Sequence, residues 1–139
     1  MLSSVFDENN AQHREFRPVL DYIQKNRGKL AYGGTKYLSE LKRATRFFGI
    51  IVELERARKA FKLDSGEVDA EEKRVKRRLK TRGCNDHHII AIVIVGRCSF
   101  VCTNDKSFHP FLKKKGLYPS RFRRPRIYSG VSSAGILRN

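Results

Sequence analysis

The sequence lacks the features of a secreted or membrane-spanning protein. Its 139 residues include only three cysteines, an odd number that cannot pair completely and therefore favours reduced thiols. The longest apolar run, IIAIVIV at residues 89–95, is far shorter than the ~20 residues that a membrane span requires. The opening MLSSVFDENN turns polar too early for a secretory leader. We therefore expect a single soluble domain in the cytoplasm.

Acidic residues are also scarce. The chain has 14 Asp and Glu against 30 Lys and Arg, which gives a formal net charge of +16. So large an excess attracts polyanions, which makes nucleic acid the leading partner and an anionic membrane surface the second choice. A ribosomal or crowding-adapted basic surface is the third interpretation. The densest basic segment is EEKRVKRRLK at residues 71–80.

Helical apolar spacing alternates along the chain with short apolar runs, which predicts an α/β domain. The segment IIVELERARKAF at residues 50–61 continues a helix-like pattern. A Gly- and Ser-rich end predicts a flexible tail. The predicted elements are helices His13–Asn26, Thr35–Phe48 (capped by Thr35 and ended by Gly49), Val68–Lys80, Asp86–Val95 and 107–114, with strands Lys29–Tyr32, Ser99–Thr103 and Arg126–Ser129.

All three cysteines lie between residues 84 and 102, which raises the question of a zinc site. Cys84 and Cys98 flank a helix of about ten residues and are thus separated by ~15 Å. Cys102 lies inside a buried strand, where a thiol behaves as a small apolar group. This spacing matches none of the paired-ligand patterns of zinc sites, so structural zinc is the less favoured interpretation.

The aspartates of the same segment have a different geometry. The helix that starts at Asp86 and the strand that ends before Asp105 have similar lengths and run in opposite directions, so the chain returns to the level of Asp86 at Asp105. Both carboxylates are then at one edge of the sheet, the edge where α/β folds bind ligands. Glu40, in the second turn of its helix, can reach that edge too. Such oxygen ligands select Mg²⁺ or Mn²⁺. The alternative is that Asp86 and Asp105 only cap helices and turns.

NDHHIIAIVIV followed by FVCTND resembles the C-terminal half of a PIN domain, a nuclease fold of type II toxin-antitoxin toxins and RNA-processing enzymes. KLAYGGTKYLSEL resembles the segment that carries the mid-chain glutamate of such domains. The likeness extends from about Leu2 to Ser129. It implies a three-layer fold with a parallel sheet flanked by helices, formed by residues 1–130, and a flexible tail at 131–139.

The resemblance also implies roles for individual residues. Glu40, Asp86 and Asp105 become catalytic ligands of one or two Mg²⁺ or Mn²⁺ ions, and Thr103 supports them by hydrogen bonding. The residues that would hold the nucleic-acid backbone are Lys36, Arg77 and Lys106. The implied function is a Mg²⁺-dependent ribonuclease, a toxin whose partner is a small antitoxin protein, and a homodimer is a further partner hypothesis. The alternative function is a basic nucleic-acid-binding protein without catalytic activity.

One departure from the PIN pattern concerns the first strand. The family begins with a buried strand that ends in an aspartate, whereas LSSVF, directly after Met1, matches the helix that follows. Neither Asp7 nor Asp21 can replace that aspartate, because one follows the first helix and the other lies inside the next. Either the start codon has been assigned too far downstream, or the chain is a truncated and inactive copy of the PIN-like fold. In both cases we expect the 139-residue chain to have low stability.

Overall fold

The computed structural model describes residues 1–79 and 83–138. The predicted helix end at Lys80 lies outside these residues. Helices and short strands alternate, as the sequence predicted. The elements are α1 (Leu2–Phe6), α2 (His13–Lys25), β1 (Leu30–Gly33), α3 (Thr35–Arg43), α4 (Thr45–Arg56), β2 (Ala60–Leu63), α5 (Ser65–Arg78), α6 (His87–Gly96), β3 (Phe100–Cys102), α7 (His109–Leu112) and β4 (Arg126–Tyr128), with 3-10 helices at Lys115–Leu117 and Val131–Arg138.

The strands form two parallel pairs. β1 pairs with β2, with Leu30 opposite Ala60, and β3 pairs with β4, with Val101 opposite Ile127. The mixed α/β class and the parallel strands agree with the sequence prediction. Within the described residues the pairs are separate two-stranded sheets. The free edges of β1 and β3 line the same cavity.

The segment between α3 and α5 differs from the prediction. α3 ends at Arg43, with Ala44 as its C-cap, and not at Gly49, which lies inside α4. A glycine inside a helix costs only about 1 kcal/mol relative to alanine, so packing overrides it. The chain turns at Arg58, whose φ of 58° is left-handed, and then forms β2 in a segment whose apolar spacing had predicted a helix.

The charged helix starts earlier than predicted. α5 begins at Ser65, because the side chain of Asp64 caps it by accepting a hydrogen bond from the backbone N–H of Glu67 (2.9 Å). The cap adds a turn to α5, and the exposed face of the helix remains basic.

The core lies around α6 and α2. α6 has the sequence HHIIAIVIVG, apolar on nearly all sides, and Ile90 and Ala91 are completely buried. Such a helix must be covered on every side. α5 covers it with Val68 and Val75. No helix in the described parts of the chain is long and apolar enough to cross a membrane.

The C-terminal segment differs from the flexible tail that the sequence predicted. Residues 131–138 form a 3-10 helix in which Ala134, Ile136 and Leu137 pack against the core. The backbone N–H of Val131 donates to Glu15 Oε2 at 3.0 Å, which ties the segment to α2. Its apolar side chains were too few and too irregularly spaced to show a pattern in the sequence.

Candidate functional site

The turn between β1 and α3 depends on Gly34. Its φ is +88°, and a Cβ atom there would lie 2.5 Å from Cγ1 of Val68. The sequence predicted Thr35 as the cap of α3, but Gly34 occupies that position. Thr35 instead donates to Asp69 twice, from its backbone N–H (2.9 Å) and its hydroxyl (2.5 Å). These bonds fix the start of α3, the helix that carries Lys36 and Glu40.

The start of α3 lies beside the start of α6. Lys36 Nζ donates to the backbone carbonyl of Asn85 at 3.0 Å. One turn later, Glu40 Oε2 lies 3.6 Å from Nε2 of His88. The two helices therefore meet at their N-terminal ends.

Glu40 and Asp86 line one cavity, together with Thr103 and Asn104 at the end of β3. We call these four residues the carboxyl edge, because they lie where the parallel strands end. Two of the predicted metal ligands and the supporting threonine thus line the same cavity, which also extends along β3 as far as Ser99. Asp86 stands at the N-cap position of α6 without a side-chain capping bond, so its carboxylate is not used as a helix cap.

Asp105 is placed differently. It is exposed, and its Oδ1 accepts hydrogen bonds from the backbone N–H (3.0 Å) and the hydroxyl (2.5 Å) of Ser107. These bonds lower the pKa of Asp105. Its own N–H donates to Thr103 Oγ1 at 3.1 Å, and its side chain does not line the cavity. This is the turn-forming role that the sequence left open as the alternative.

Among residues 1–79 and 83–138, no three His, Cys, Asp or Glu side chains are close enough together to hold a metal ion. This applies to the cysteines as well, which are all free thiols. Burial raises the pKa of Cys98 to about 11 and that of Cys102 to about 12, so both are protonated at neutral pH. The three-carboxylate metal site of Glu40, Asp86 and Asp105 stays a prediction.

His88, in the first turn of α6, is a functional candidate that the sequence did not single out. Its side chain is buried, with 3% of its surface accessible. Its Nε2 faces Glu40, while its Nδ1 has no hydrogen-bond partner among the described residues. Ala91 and Ile92, three and four residues further along the helix, are apolar and share a face with His88. This spacing could have indicated from the sequence that His88 is buried.

Burial is the main reason why the pKa of His88 lies below its ordinary value; Lys36 lowers it further, while Glu40 and Asp86 oppose the shift. Because the folded protein binds this proton less readily than the unfolded chain, stability falls as pH drops through about 6.5. We expect the free energy of unfolding to decrease between pH 7 and pH 5. Urea unfolding across this range should show a shallower decrease for His88→Asn than for the parent. An unchanged slope would contradict a neutral, buried His88.

A second region is a basic surface formed by α5 and residues 113–124. All its members are exposed. Arg74 donates to the carbonyl of Leu117 (2.6 Å), Arg78 to that of Gly116 (3.0 Å), and Arg124 to that of Lys113 (2.7 Å). The bonds of Arg74 and Arg78 fix the segment against the helix, and that of Arg124 closes the segment on itself. The basic surface consists of Lys73, Lys76, Arg77, Arg78, Lys113, Lys114, Lys115, Arg121, Arg123 and Arg124.

Arg77, Arg78 and Lys114 line a shallow depression of about 350 Å³ within the basic surface. Cations around a concave surface attract phosphate more strongly than the same charges spread over a flat one. Arg77 was predicted as a backbone contact from the sequence. The depression was not predicted, because the contribution of residues 113–124 depends on how they fold against α5.

The basic surface adjoins the carboxyl edge through His87. Burial lowers the pKa of this histidine, and the positive charges of Lys76 on α5 and Lys36 on α3 lower it further. Both lysines therefore lie near the start of α6. Lys106, the remaining predicted contact, is exposed in the turn after β3. Lys76, a member of the basic surface, is therefore near Asp86, whose charge also acts on His87.

Comparison with known proteins adds no relative. No protein-family model, no curated protein and no solved structure matches this chain. The function is therefore inferred from the two regions described above.

Proposed function

We propose that this protein binds the phosphate backbone of RNA through the basic surface. The main support is that Arg74 and Arg78 donate to the carbonyls of Leu117 and Gly116 and so hold α5 and residues 113–124 together as one exposed cationic face. Arg124 donates to the carbonyl of Lys113 and closes that segment on itself. Contacts between Lys or Arg and phosphates position a nucleic acid without reading its sequence. Binding should therefore be strong at low salt, weak at high salt and similar for different RNA sequences.

A second function, cleavage of the bound RNA, is favoured by the position of Glu40 and Asp86. These two carboxylates share a cavity wall beside Lys36, next to the basic surface. Mg²⁺ is commonly held by one or two carboxylates together with substrate phosphates, and this number of ligands matches the carboxyl edge. Such an ion, or Mn²⁺, would activate water and offset charge on the phosphate. The function would be that of a PIN-type ribonuclease.

In this proposal each residue of the carboxyl edge has a separate role. Glu40 and Asp86 would hold the ion, and Lys36, fixed by its bond to Asn85, would place positive charge near the scissile phosphate. Neutral His88 would orient Glu40 from the protein side. Asp105, engaged with Ser107, would shape the turn after β3. A toxin-antitoxin pair remains a partner hypothesis for such an enzyme.

Cleavage of single-stranded RNA, followed on denaturing gels with Mg²⁺ or with EDTA, tests the second function. We expect Mg²⁺-dependent cleavage that falls at least about 100-fold in Asp86→Asn and in Glu40→Gln, because each substitution removes a charged oxygen ligand. RNA affinity in EDTA should be unchanged in both variants. Asp21→Asn, a substitution at an exposed ion pair with Lys25, serves as the control that keeps cleavage.

The other outcomes separate the hypotheses. If Asp86→Asn and Glu40→Gln cleave as well as the parent, the carboxyl edge is not the catalytic site. If the parent binds RNA but does not cleave it, the protein acts by binding alone. Asp105→Asn distinguishes its two roles, because loss of a metal ligand would reduce cleavage, whereas loss of a turn bond would reduce only stability.

A further inference from the structure

Two aromatic rings are stacked within the segment that completes the basic surface. The ring centroids of Tyr118 and Phe122 are 5.6 Å apart, and the ring planes are nearly parallel, with 7° between them. The backbone N–H of Phe122 donates to the carbonyl of Pro119 at 2.8 Å, and this turn brings the second ring back to the first. Parallel, offset rings attract each other, so the contact favours one orientation of the two side chains. We call Tyr118 and Phe122 the aromatic pair.

Tyr118 is the inner member of the aromatic pair. Only 7% of its surface is accessible, and its hydroxyl donates to the carbonyl of Leu112 at 2.7 Å. It belongs to the same core cluster as Ile90 of α6. Phe122 packs against this cluster but is only partly buried. The accessible part of the pair therefore belongs mainly to Phe122, whose ring Tyr118 supports from the protein side.

The aromatic pair adjoins the depression of the basic surface. Leu117, the residue before Tyr118, lines this depression. Burial raises the pKa of Tyr118 to about 12, and the nearby charge of Arg124 opposes the shift, so Arg124 lies close to the pair. Exposed cations flank Phe122 in the chain at Arg121, Arg123 and Arg124. A partly exposed aromatic ring is thus set among the cations that would hold phosphates.

This combination of groups fits an unpaired nucleobase. Proteins bind single-stranded nucleic acid by holding its phosphates with cations and by stacking its bases on aromatic side chains. In a duplex the bases are stacked on each other, so their faces are not accessible to such a ring. Phe48 and Phe61 are also exposed, but they lie on α4 and β2, outside the basic surface. Their surroundings therefore offer no comparable set of phosphate contacts.

We propose that the ring of Phe122 stacks on an unpaired base of RNA whose phosphates are held by the basic surface. The inference rests on the proposed RNA binding and adds to it a preference for single-stranded RNA. Stacking accepts every base, because each has a flat aromatic face. Binding then has two separable parts, since the cation contacts weaken with salt, whereas the stacking contact involves no charged side chain.

The substitution Phe122→Leu tests this inference, because it keeps an apolar side chain and removes the ring. We expect the affinity for single-stranded RNA to fall about tenfold, with an unchanged salt slope. Affinities for duplex RNA and for inorganic polyphosphate, which offer no unpaired base, should stay at the parent values. Phe122→Tyr should restore the affinity for single-stranded RNA, and Phe48→Leu, outside the basic surface, should keep it. Thermal melts confirm that each variant is folded at the assay temperature.

Fluorescence gives a second measurement that keeps an aromatic ring in place. The chain has no tryptophan, so Phe122→Trp introduces a single indole at the proposed contact. Stacking on a base quenches indole fluorescence. Single-stranded RNA at saturating concentration should therefore quench this variant, whereas saturating polyphosphate should not. Phe48→Trp is the matched control, and its fluorescence should not change with either ligand.

The outcomes separate this inference from the proposed function. If Phe122→Leu binds single-stranded RNA as tightly as the parent, or if RNA quenches Phe122→Trp no more than Phe48→Trp, the stacking contact is wrong while RNA binding stands. An equal loss of affinity for polyphosphate in Phe122→Leu would also overturn it, because the ring would then only maintain the fold of the basic surface. If the parent binds neither RNA nor polyphosphate, the proposed function fails and this inference fails with it.

Discussion

The triple variant Arg77→Glu, Lys113→Glu, Lys114→Glu is expected to bind single-stranded RNA about 100-fold more weakly than the parent in 0.1 M salt. Each phosphate contact contributes about 0.7 to the slope of log affinity against log salt. Three lost contacts therefore reduce the slope by about 2. Since 0.1 M is tenfold below 1 M salt, where these contacts contribute little, the affinity at 0.1 M falls by about two powers of ten. Fluorescence anisotropy over a salt titration measures both quantities.

A matched variant with the same change in net charge controls for general electrostatics. Lys42→Glu, Arg43→Glu, Arg56→Glu alters exposed cations on α3 and α4, outside the basic surface. We expect its affinity to fall by only a few fold, through the change in overall field. If the two triple variants lose affinity equally, RNA responds to net charge rather than to a localised surface, and the first proposal is wrong.

The largest expected effect on stability comes from Tyr128. This side chain is completely buried, its ring meets Phe16 edge to face at 5.6 Å, and its hydroxyl donates to the carbonyl of Glu15 at 2.7 Å. It joins β4 to α2. Tyr128→Ala should lower the free energy of unfolding by about 3–5 kcal/mol, because it leaves a large cavity and removes a hydrogen bond. Urea unfolding followed by circular dichroism measures the loss.

Tyr128→Phe isolates the hydroxyl. It keeps the ring contact with Phe16 and removes one hydrogen bond, so the expected loss is about 1 kcal/mol. A loss in Tyr128→Ala no greater than that in Tyr128→Phe would show that the ring packs loosely. In that case the packing of Tyr128 on Phe16 does not join β4 to α2.

The parts of the fold that the sequence predicted are those with strong local patterns. α2 and α6 follow from apolar spacing and an apolar run, and β3 and β4 were predicted within one residue at each end. β2 was missed because AFKL continues the apolar spacing of α4, and its strand conformation depends on pairing with the distant β1. Long-range pairing of this kind leaves no local signal.

The candidate site was predictable to a similar degree. Chain lengths correctly indicated that the start of α6 and the end of β3 lie at one edge, where the structure places Asp86 and Thr103. They could not show that the carboxylate of Asp105 binds Ser107, two residues further on. Spacing gives the position of a backbone but not the direction of a side chain. The burial of His88 against Glu40 also required the packing of α3 on α6.

Whether RNA binds on the basic surface can be tested by photo-crosslinking of the parent protein to uniformly 4-thiouridine-labelled RNA, with the crosslinked peptides identified by mass spectrometry. We expect crosslinks concentrated in residues 73–78 and 113–124, with weaker ones at the start of α6. They should be lost in the Arg77, Lys113, Lys114 variant and kept in the Lys42, Arg43, Arg56 variant. Crosslinks concentrated on α3 and α4, or unchanged in the first variant, would contradict binding on the basic surface.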